Sequence, residues 1–251
     1  MSYSSFAEVY DALTQNVGYK QRADYFCSLL SRYGLNGGLL LDLACGTGSL
    51  SLEMAKRGWS VIGIDASGEM LCAAQNKKYE AGDTATIFLC QDMRNLDLYG
   101  TVDCCVSSLD SLNHLTSEED LLKAFKSVSL FMNDSGLFIF DMNTPFKHRE
   151  ILCDNCFVYD VDGVFCVWQN SNVGSDLKVD ITLDFFIKKP DGSYRRSLES
   201  FSEKAYEYET VKRLLESADF ELLDNFGENT VEKPKEDAQR TVFIARRKAR
   251  K

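Results

Sequence analysis

Apolar positions recur along the chain with two periods. Between Arg22 and Tyr33, residues Phe26, Leu29, Leu30 and Tyr33 fall at i, i+3, i+4 and i+7, one face of a helix, and Gly34 supplies a stop. Phe6, Val9, Tyr10 and Leu13 have similar spacing and predict a shorter helix before it. Leu39 to Leu43 is a short continuous apolar run, as in a strand covered on both faces. A Gly-x-Gly turn follows, then a helix over Ser49 to Arg57 stopped by Gly58, then a strand over Ser60 to Ile64 with Asp65 just past its end. The alternation continues with a helix over Glu69 to Tyr79 and strands over Ala85 to Cys90 and Val102 to Ser107. Thr116-Ser117-Glu118-Glu119 has the form of a capping box, with the threonine hydroxyl as cap, opening a helix that runs to about Phe131. Leu137 to Asp141 reads as another buried strand. Strands and helices alternating at this spacing predict right-handed crossovers and a parallel sheet.

The period changes after Pro145. Asp162-Gly163 separates two β-rich runs, Cys156 to Val161 and Val164 to Gln169, a strong hairpin signal. Leu177, Val179, Ile181, Leu183 and Phe185 alternate with polar residues, and Pro190-Asp191-Gly192 turns the chain into a further strand, about Tyr194 to Phe201. Residues 148–206 therefore read as an antiparallel β insertion in an α/β domain made of 1–147 and 207–251. After the insertion, Val211, Leu214, Leu215 and Ala218 mark a helix, followed by strands over Glu221 to Phe226 and Thr241 to Arg246.

Composition narrows the class. Apolar residues make up 45% and charged residues 26% of 251, too apolar for a disordered chain. The net charge of −10 disfavours a nucleic-acid partner, although the last six residues hold five positive charges. Nine scattered cysteines, no basic-then-apolar leader and no apolar run near the ~20 residues of a membrane helix predict a cytoplasmic protein with reduced, buried thiols and no membrane partner. Cys153 and Cys156 have C-x-x-C spacing, but few further ligands stand nearby, so no metal site is expected.

The chemistry lies in Leu41-Asp42-Leu43-Ala44-Cys45-Gly46-Thr47-Gly48. It follows a predicted strand, opens a helix and occupies the first strand-to-helix turn, where α/β sheets place ligands. Asp65, 17 residues after Gly48, suits a ribose diol. A dinucleotide motif would carry a third glycine where Ser51 stands, and Asp42 before the turn would disfavour a pyrophosphate. A carboxylate there favours a cation, such as a sulfonium nucleoside. A capped helix turn without a ligand is the plain structural alternative.

Leu40 to Gly48 with Asp65 resembles motif I and the second acidic position of the class I S-adenosylmethionine-dependent methyltransferases, and the resemblance covers nearly the whole chain. It implies a Rossmann-like sheet with helices on both faces and S-adenosyl-L-methionine as cofactor. Cys90-Gln91-Asp92-Met93-Arg94 resembles the next motif, with Asp92 on the adenine amino group and Met93 against the ring. Leu109 to Leu115 resembles the loop lining the methyl-transfer centre. Phe6 to Asp11, Tyr19 and the insertion are similar to a subgroup acting on small molecules, including sugar-amine N,N-dimethyltransferases and glycine-type N-methyltransferases. On this resemblance the cofactor contacts are Tyr10, Tyr19, Arg22, Asp42, Ala44, Gly46, Gly48, Asp65, Ala66, Met70, Asp92, Met93, Leu109 and Asn113.

Methyl transfer needs alignment of acceptor, methyl and sulfur, and an amine acceptor must be neutral when it attacks. His114 is the first candidate for the base, with a structural hydrogen bond as its other reading. Tyr10 is the second, as a catalytic or cofactor-holding group or as a core tyrosine. Arg22 is read as pairing with the cofactor carboxylate or as an exposed helix arginine. Trp168 and the inward face of 177–185 are read as acceptor-pocket wall or packing. Relatives carry a histidine late in the insertion, and Ser197 to Tyr206 holds none, which leaves a second acid/base group from the insertion in doubt. Relatives likewise carry a glycine before the next strand where Asp219 stands, a residue that tolerates the left-handed conformation. The expected partner is a small-molecule methyl acceptor, nitrogen before oxygen. The insertion is expected to cover that acceptor or to pair two subunits in a homodimer. An RNA or protein methyltransferase, motivated by the basic tail, and a non-catalytic cofactor-binding module are the alternatives.

Overall fold

The computed structural model describes residues 4–250; of these, the side chains of Phe6 and Glu8, which carry part of the N-terminal motif, lie outside the description, as does Lys251. Strands β1 (Leu39–Leu43), β2 (Ser60–Asp65), β3 (Ile87–Cys90), β4 (Val102–Ser107), β5 (Met132–Asn143), β10 (Phe220–Gly227) and β11 (Arg240–Arg247) form one sheet in the order β10-β11-β5-β4-β1-β2-β3. β1 through β5 pair in parallel. The parallel pairing expected of the strands up to Asp141 holds, and β11 enters between β5 and β10 and runs antiparallel to both. The cause is the connection. Residues 228–239 join β10 to β11 without a helix, and a crossover to a parallel strand is usually helical.

Both faces of β1 are buried, which is why its sequence is a continuous apolar run. Leu40 packs with Phe26, Leu29 and Leu30 of α2 (Tyr19–Arg32) and Leu50 and Met54 of α3 (Ser49–Ala55). Leu41 and Leu43 pack on the opposite face with Phe125 of α5 (Glu118–Leu130) and Leu214 of α6 (Tyr208–Ser217). Each such buried side chain contributes roughly 1.5–3 kcal/mol. Helix α1 (Ser4–Leu13) precedes α2, and α4 (Gly68–Glu80) follows β2.

The cap of α5 is Ser117, not Thr116. Ser117 has extended dihedrals (φ −126°, ψ 146°), and its hydroxyl accepts from the Asp120 N–H. Asp219 holds the left-handed turn expected of it, at φ 61°.

The insertion is a separate antiparallel meander in the order β6 (Cys156–Val161), β7 (Val164–Asn170), β8 (Lys178–Lys188), β9 (Tyr194–Lys204). Asp162 and Gly163 both have positive φ at the β6–β7 turn, as the hairpin signal requires. Val179, Ile181, Leu183 and Phe185 point to one buried face, where Val9 of α1 and Leu152 join them. Cys104, Cys105 and Cys166 are buried, but Cys72 on α4, Cys90 at the end of edge strand β3 and Cys156 at the start of edge strand β6 are exposed. The three arginines of the basic tail donate to carbonyls: Arg247 to Ser129 and Asp219, Arg250 to Leu130, and Arg246 to Tyr33. Two of these carbonyls belong to the last turn of α5, whose orphan acceptors need donors. Among the described residues no helix is long and apolar enough to cross a membrane.

Candidate active site

The turn after β1 puts Ala44, Gly46 and Gly48 at φ 58°, 54° and 73°. The two glycines do different things. A Cβ on Gly48 would stand 2.7 Å from Phe88 Cζ and 2.9 Å from Ala74 Cβ, so this glycine lets β3 and α4 close on the turn. A Cβ on Gly46 would meet nothing nearer than the Tyr10 ring at 4.0 Å. The Gly46 N–H donates to Asp65 Oδ2 and the Ser67 N–H to Asp65 Oδ1, each at 2.8 Å. Burial raises the Asp65 carboxyl above its ordinary range, against these two bonds, which favour its charged form.

A cavity of about 500 Å³ opens where these elements end. Tyr10, Ala44, Gly46, Asp65, Ala66, Met70, Asp92, Met93, Leu109 and His114 all line it. Asp92 is held by Arg94, whose Nε and Nη2 reach it at 3.0 and 2.5 Å, and Arg94 also bonds Asp120. The Arg94 bonds hold the Asp92 carboxyl below its usual value. The Tyr10 hydroxyl bonds Tyr19, and burial raises its pKa well above the ordinary phenol value.

Five expected contacts do not line the cavity. Gly48 is occupied with packing, as above. Tyr19 stands behind Tyr10 and donates to Thr14 Oγ1 at 3.4 Å. Asp42 is 2% exposed and accepts from Ser51 Oγ at 2.5 Å, so Ser51 at the third-glycine position serves this carboxyl. Burial pushes the Asp42 pKa up to about 7, which removes much of the fixed charge the sequence argument gave it. Asn113 is fully buried, receiving the Asn143 N–H and donating to the Asn143 and Lys204 carbonyls, so it ties β5 to β9. Arg22 is neither exposed nor at the cavity. Its Nη1 lies 2.9 Å from Asp141 Oδ2 and its Nη2 2.5 Å from Glu228.

Arg22 belongs to a network the sequence reading missed. Arg240 reaches Asp141 at 2.5 Å and Asp110 at 2.7 Å. Asp141, 1% exposed, also accepts the N–H groups of Leu109 and Asp110, whose φ values of 60° and 54° are otherwise costly. Burial works against charge on Asp141 and Asp110, but Arg240, with Arg22 or Lys147, holds both below the ordinary carboxylate range. This network fixes the loop that carries Leu109 and His114. The signal available was weak: a lone aspartate closing an apolar strand.

His114 is about a third accessible, with its side chain 35% exposed, and its ring lies 5.0 Å from that of Phe201 on β9. Its crowded surroundings lower its pKa, against Asp110 and Asp65, so the neutral imidazole prevails at neutral pH. Glu203, two residues beyond Phe201 and 3% exposed, approaches His114 Nε2 at 3.9 Å. It supplies a titratable group in the segment that lacks a histidine. A carboxylate at a core-parity position of an alternating strand was the readable sign.

Residues 40–136 match the methyltransferase domain family model. A candidate methyltransferase of Geobacillus sp. (strain WCH70) is 32% identical over 248 residues, covering 98% of this chain and 100% of that protein. The chain belongs to the S-adenosylmethionine-dependent methyltransferases. A crystal structure of such a methyltransferase from Clostridium acetobutylicum ATCC 824 superposes with a TM-score of 0.88 at 31% identity, over 98% of this chain and 99% of that one. The sugar N-methyltransferase KedS8 from Streptoalloteichus sp ATCC 53650 shares the fold, with a TM-score of 0.78 at 19% identity over 94% and 90% of the two chains. S-adenosylmethionine is the cofactor of this methyltransferase, and its Rossmann-like sheet with a separate four-stranded antiparallel sheet is that of its structural neighbours.

Proposed function

We propose that this methyltransferase acts on a small-molecule amine, and that its cavity holds S-adenosylmethionine with the acceptor beside His114. The observation that carries the reading is His114 at the cavity wall, kept neutral by its surroundings and flanked by Asp65, Asp110 and Glu203. The negative charge of Asp110 and Asp65 attracts a protonated amine, and a neutral imidazole can take its proton before attack. The fold shared with the sugar N-methyltransferase KedS8 agrees with nitrogen as the target.

S-adenosylmethionine supplies a methyl group already activated on a sulfonium. Its chemistry suits the residues present. Asp65, oriented by two backbone N–H groups, is placed to accept from a ribose diol. Met70, Met93 and Leu109 give apolar walls for an adenine, with Asp92 at the rim for its amino group. Gly46 lets the nucleoside approach the backbone. The insertion 148–206 covers the acceptor side through Phe201, and Tyr10 closes the cavity from α1.

Calorimetry tests the site. Asp65→Ala is expected to weaken S-adenosylmethionine binding at least tenfold, about 1.4 kcal/mol or more. Unchanged affinity overturns the assignment. Incubation with a panel of amino sugars, amino acids and hydroxyl compounds, read by mass, is expected to yield N-methyl products. Exclusively O-methyl products would replace the amine by a hydroxyl acceptor.

A further inference from the structure

Glu203 projects from β9 at the register opposite Val179, on the face of the insertion that is otherwise apolar. A carboxyl 3% exposed in such a place requires partners. Asn143 Nδ2 supplies one at 3.1 Å, and the same amide holds Asp110 at 3.0 Å. The other two neighbours are the chain's two histidines, His114 and His148. Glu203 Oε1 lies 3.9 Å from His114 Nε2, and Oε2 lies 4.0 Å from His148 Nε2.

His148 decides the arrangement of protons. Its Nδ1–H donates to the Leu177 carbonyl at 2.9 Å, so Nε2 carries a lone pair. That nitrogen is buried and has no hydrogen-bond partner. It is an acceptor in search of a donor, and a protonated Glu203 is a donor facing it. Glu203 Oε1 is then an acceptor facing His114. Both distances exceed a hydrogen bond, and catalytic contacts of this kind tighten when the reacting complex forms.

We propose that Glu203 is a positioning residue that holds His114 as the Nε2–H tautomer, leaves Nδ1 as the basic nitrogen, and faces the imidazolium formed when the acceptor is deprotonated. This rests on the amine-acceptor reading. In the step, an acceptor N–H bond breaks and an Nδ1–H bond forms on His114. The acceptor nitrogen keeps the electron pair with which it takes the methyl group, and the electrons of the old methyl–sulfur bond stay on sulfur. The new cation on His114 meets the Oε1 lone pair of Glu203 across Nε2, with Asp110 and Asp65 as negative neighbours. Glu203 in turn is faced by Asp110, Lys147 and Arg240, and His148 by Lys147 and Asp110. Burial and Asp110 raise Glu203 well above the ordinary carboxylate range, which keeps a proton available for His148.

With two histidines, long-range nitrogen–proton spectra of the imidazoles contain two ring systems, and a His148→Gln variant assigns them. In the wild-type protein His114 is expected as the Nε2–H tautomer and His148 as Nδ1–H. In Glu203→Leu, which removes the acceptor facing Nε2–H, His114 is expected to lose its tautomer preference and its titration midpoint to fall by about one pH unit or more, whereas Glu203→Gln keeps a carbonyl for His114 and an N–H for His148 and is expected to keep the tautomer. An Nδ1–H tautomer for wild-type His114, or an unmoved midpoint in Glu203→Leu, overturns the proposal. The wild-type arm needs no variant, so poor folding of Glu203→Leu leaves the proposal open to refutation. The spectra read the pair without an acceptor. Exclusively O-methyl products in the panel would remove the amine reading and leave the histidine result standing by itself.

Discussion

The two halves of the sheet's carboxyl edge are built on different principles. On the β1–β3 side, backbone geometry makes the site: Gly46 and Ser67 N–H groups aim Asp65, and glycine permits close approach. On the β4–β5–β11 side, buried charge makes it: Asp141 gathers Arg22, Arg240 and two backbone N–H groups to hold the Leu109–Asp110 turn. The first half is suited to recognising a constant nucleoside. The second sets the charge and orientation around the group that does the proton chemistry.

The largest expected effect breaks the second half. Arg240→Met leaves Asp141 and Asp110 without their main counterion and is expected to cost about 3–5 kcal/mol in urea unfolding. A loss under about 1 kcal/mol would mean that Arg22 and Lys147 suffice. Next comes the buried carboxyl under the first half. Burial, against the Ser51 bond, raises Asp42 to about 7, so between its unfolded pKa near 4 and pH 7 the folded state binds more protons. Stability from this group therefore falls as pH rises through that window, and the penalty is complete above about pH 7. Asp42→Asn should flatten that fall and gain on the order of 2–4 kcal/mol relative to wild type at pH 8. Thermal melts at pH 5 and pH 8 check it. The smallest effects separate the glycines. Gly48→Ala is expected to cost about 2 kcal/mol by collision and left-handed strain, and Gly46→Ala about 1 kcal/mol by strain alone. Only the second should weaken cofactor binding by more than its loss of stability, measured by calorimetry beside denaturation.

What was legible follows the same division. Leu40 to Gly48 and Asp65 lie within one strand–helix–strand unit, so local spacing carries their meaning. Nine of the fourteen expected cofactor contacts line one cavity, with His114 beside them. Arg22 and Asp141 are 119 residues apart, and Arg240 lies 99 beyond Asp141, so no spacing signals their meeting. Arg22 was read for the cofactor, and Asn113 likewise, because a polar residue near a motif looks available until its partners are seen. The cap of α5 was missed by one residue, since Thr116 and Ser117 offer the same hydroxyl and only backbone angles choose between them. The run of β11 was readable as a strand, but its direction depended on whether residues 228–239 form a crossover helix, and they do not.

The placement of β11 also bears on how the chain assembles. It follows every other strand in sequence, yet it lies between two of them and brings Arg240 to Asp141. Until it arrives, β5 presents an unpaired edge, and the Asp141 carboxylate has only part of its countercharge. Synthesis thus delivers the interior of the sheet late. A nascent chain halted before residue 240 is expected to expose that edge to chaperones or to other chains.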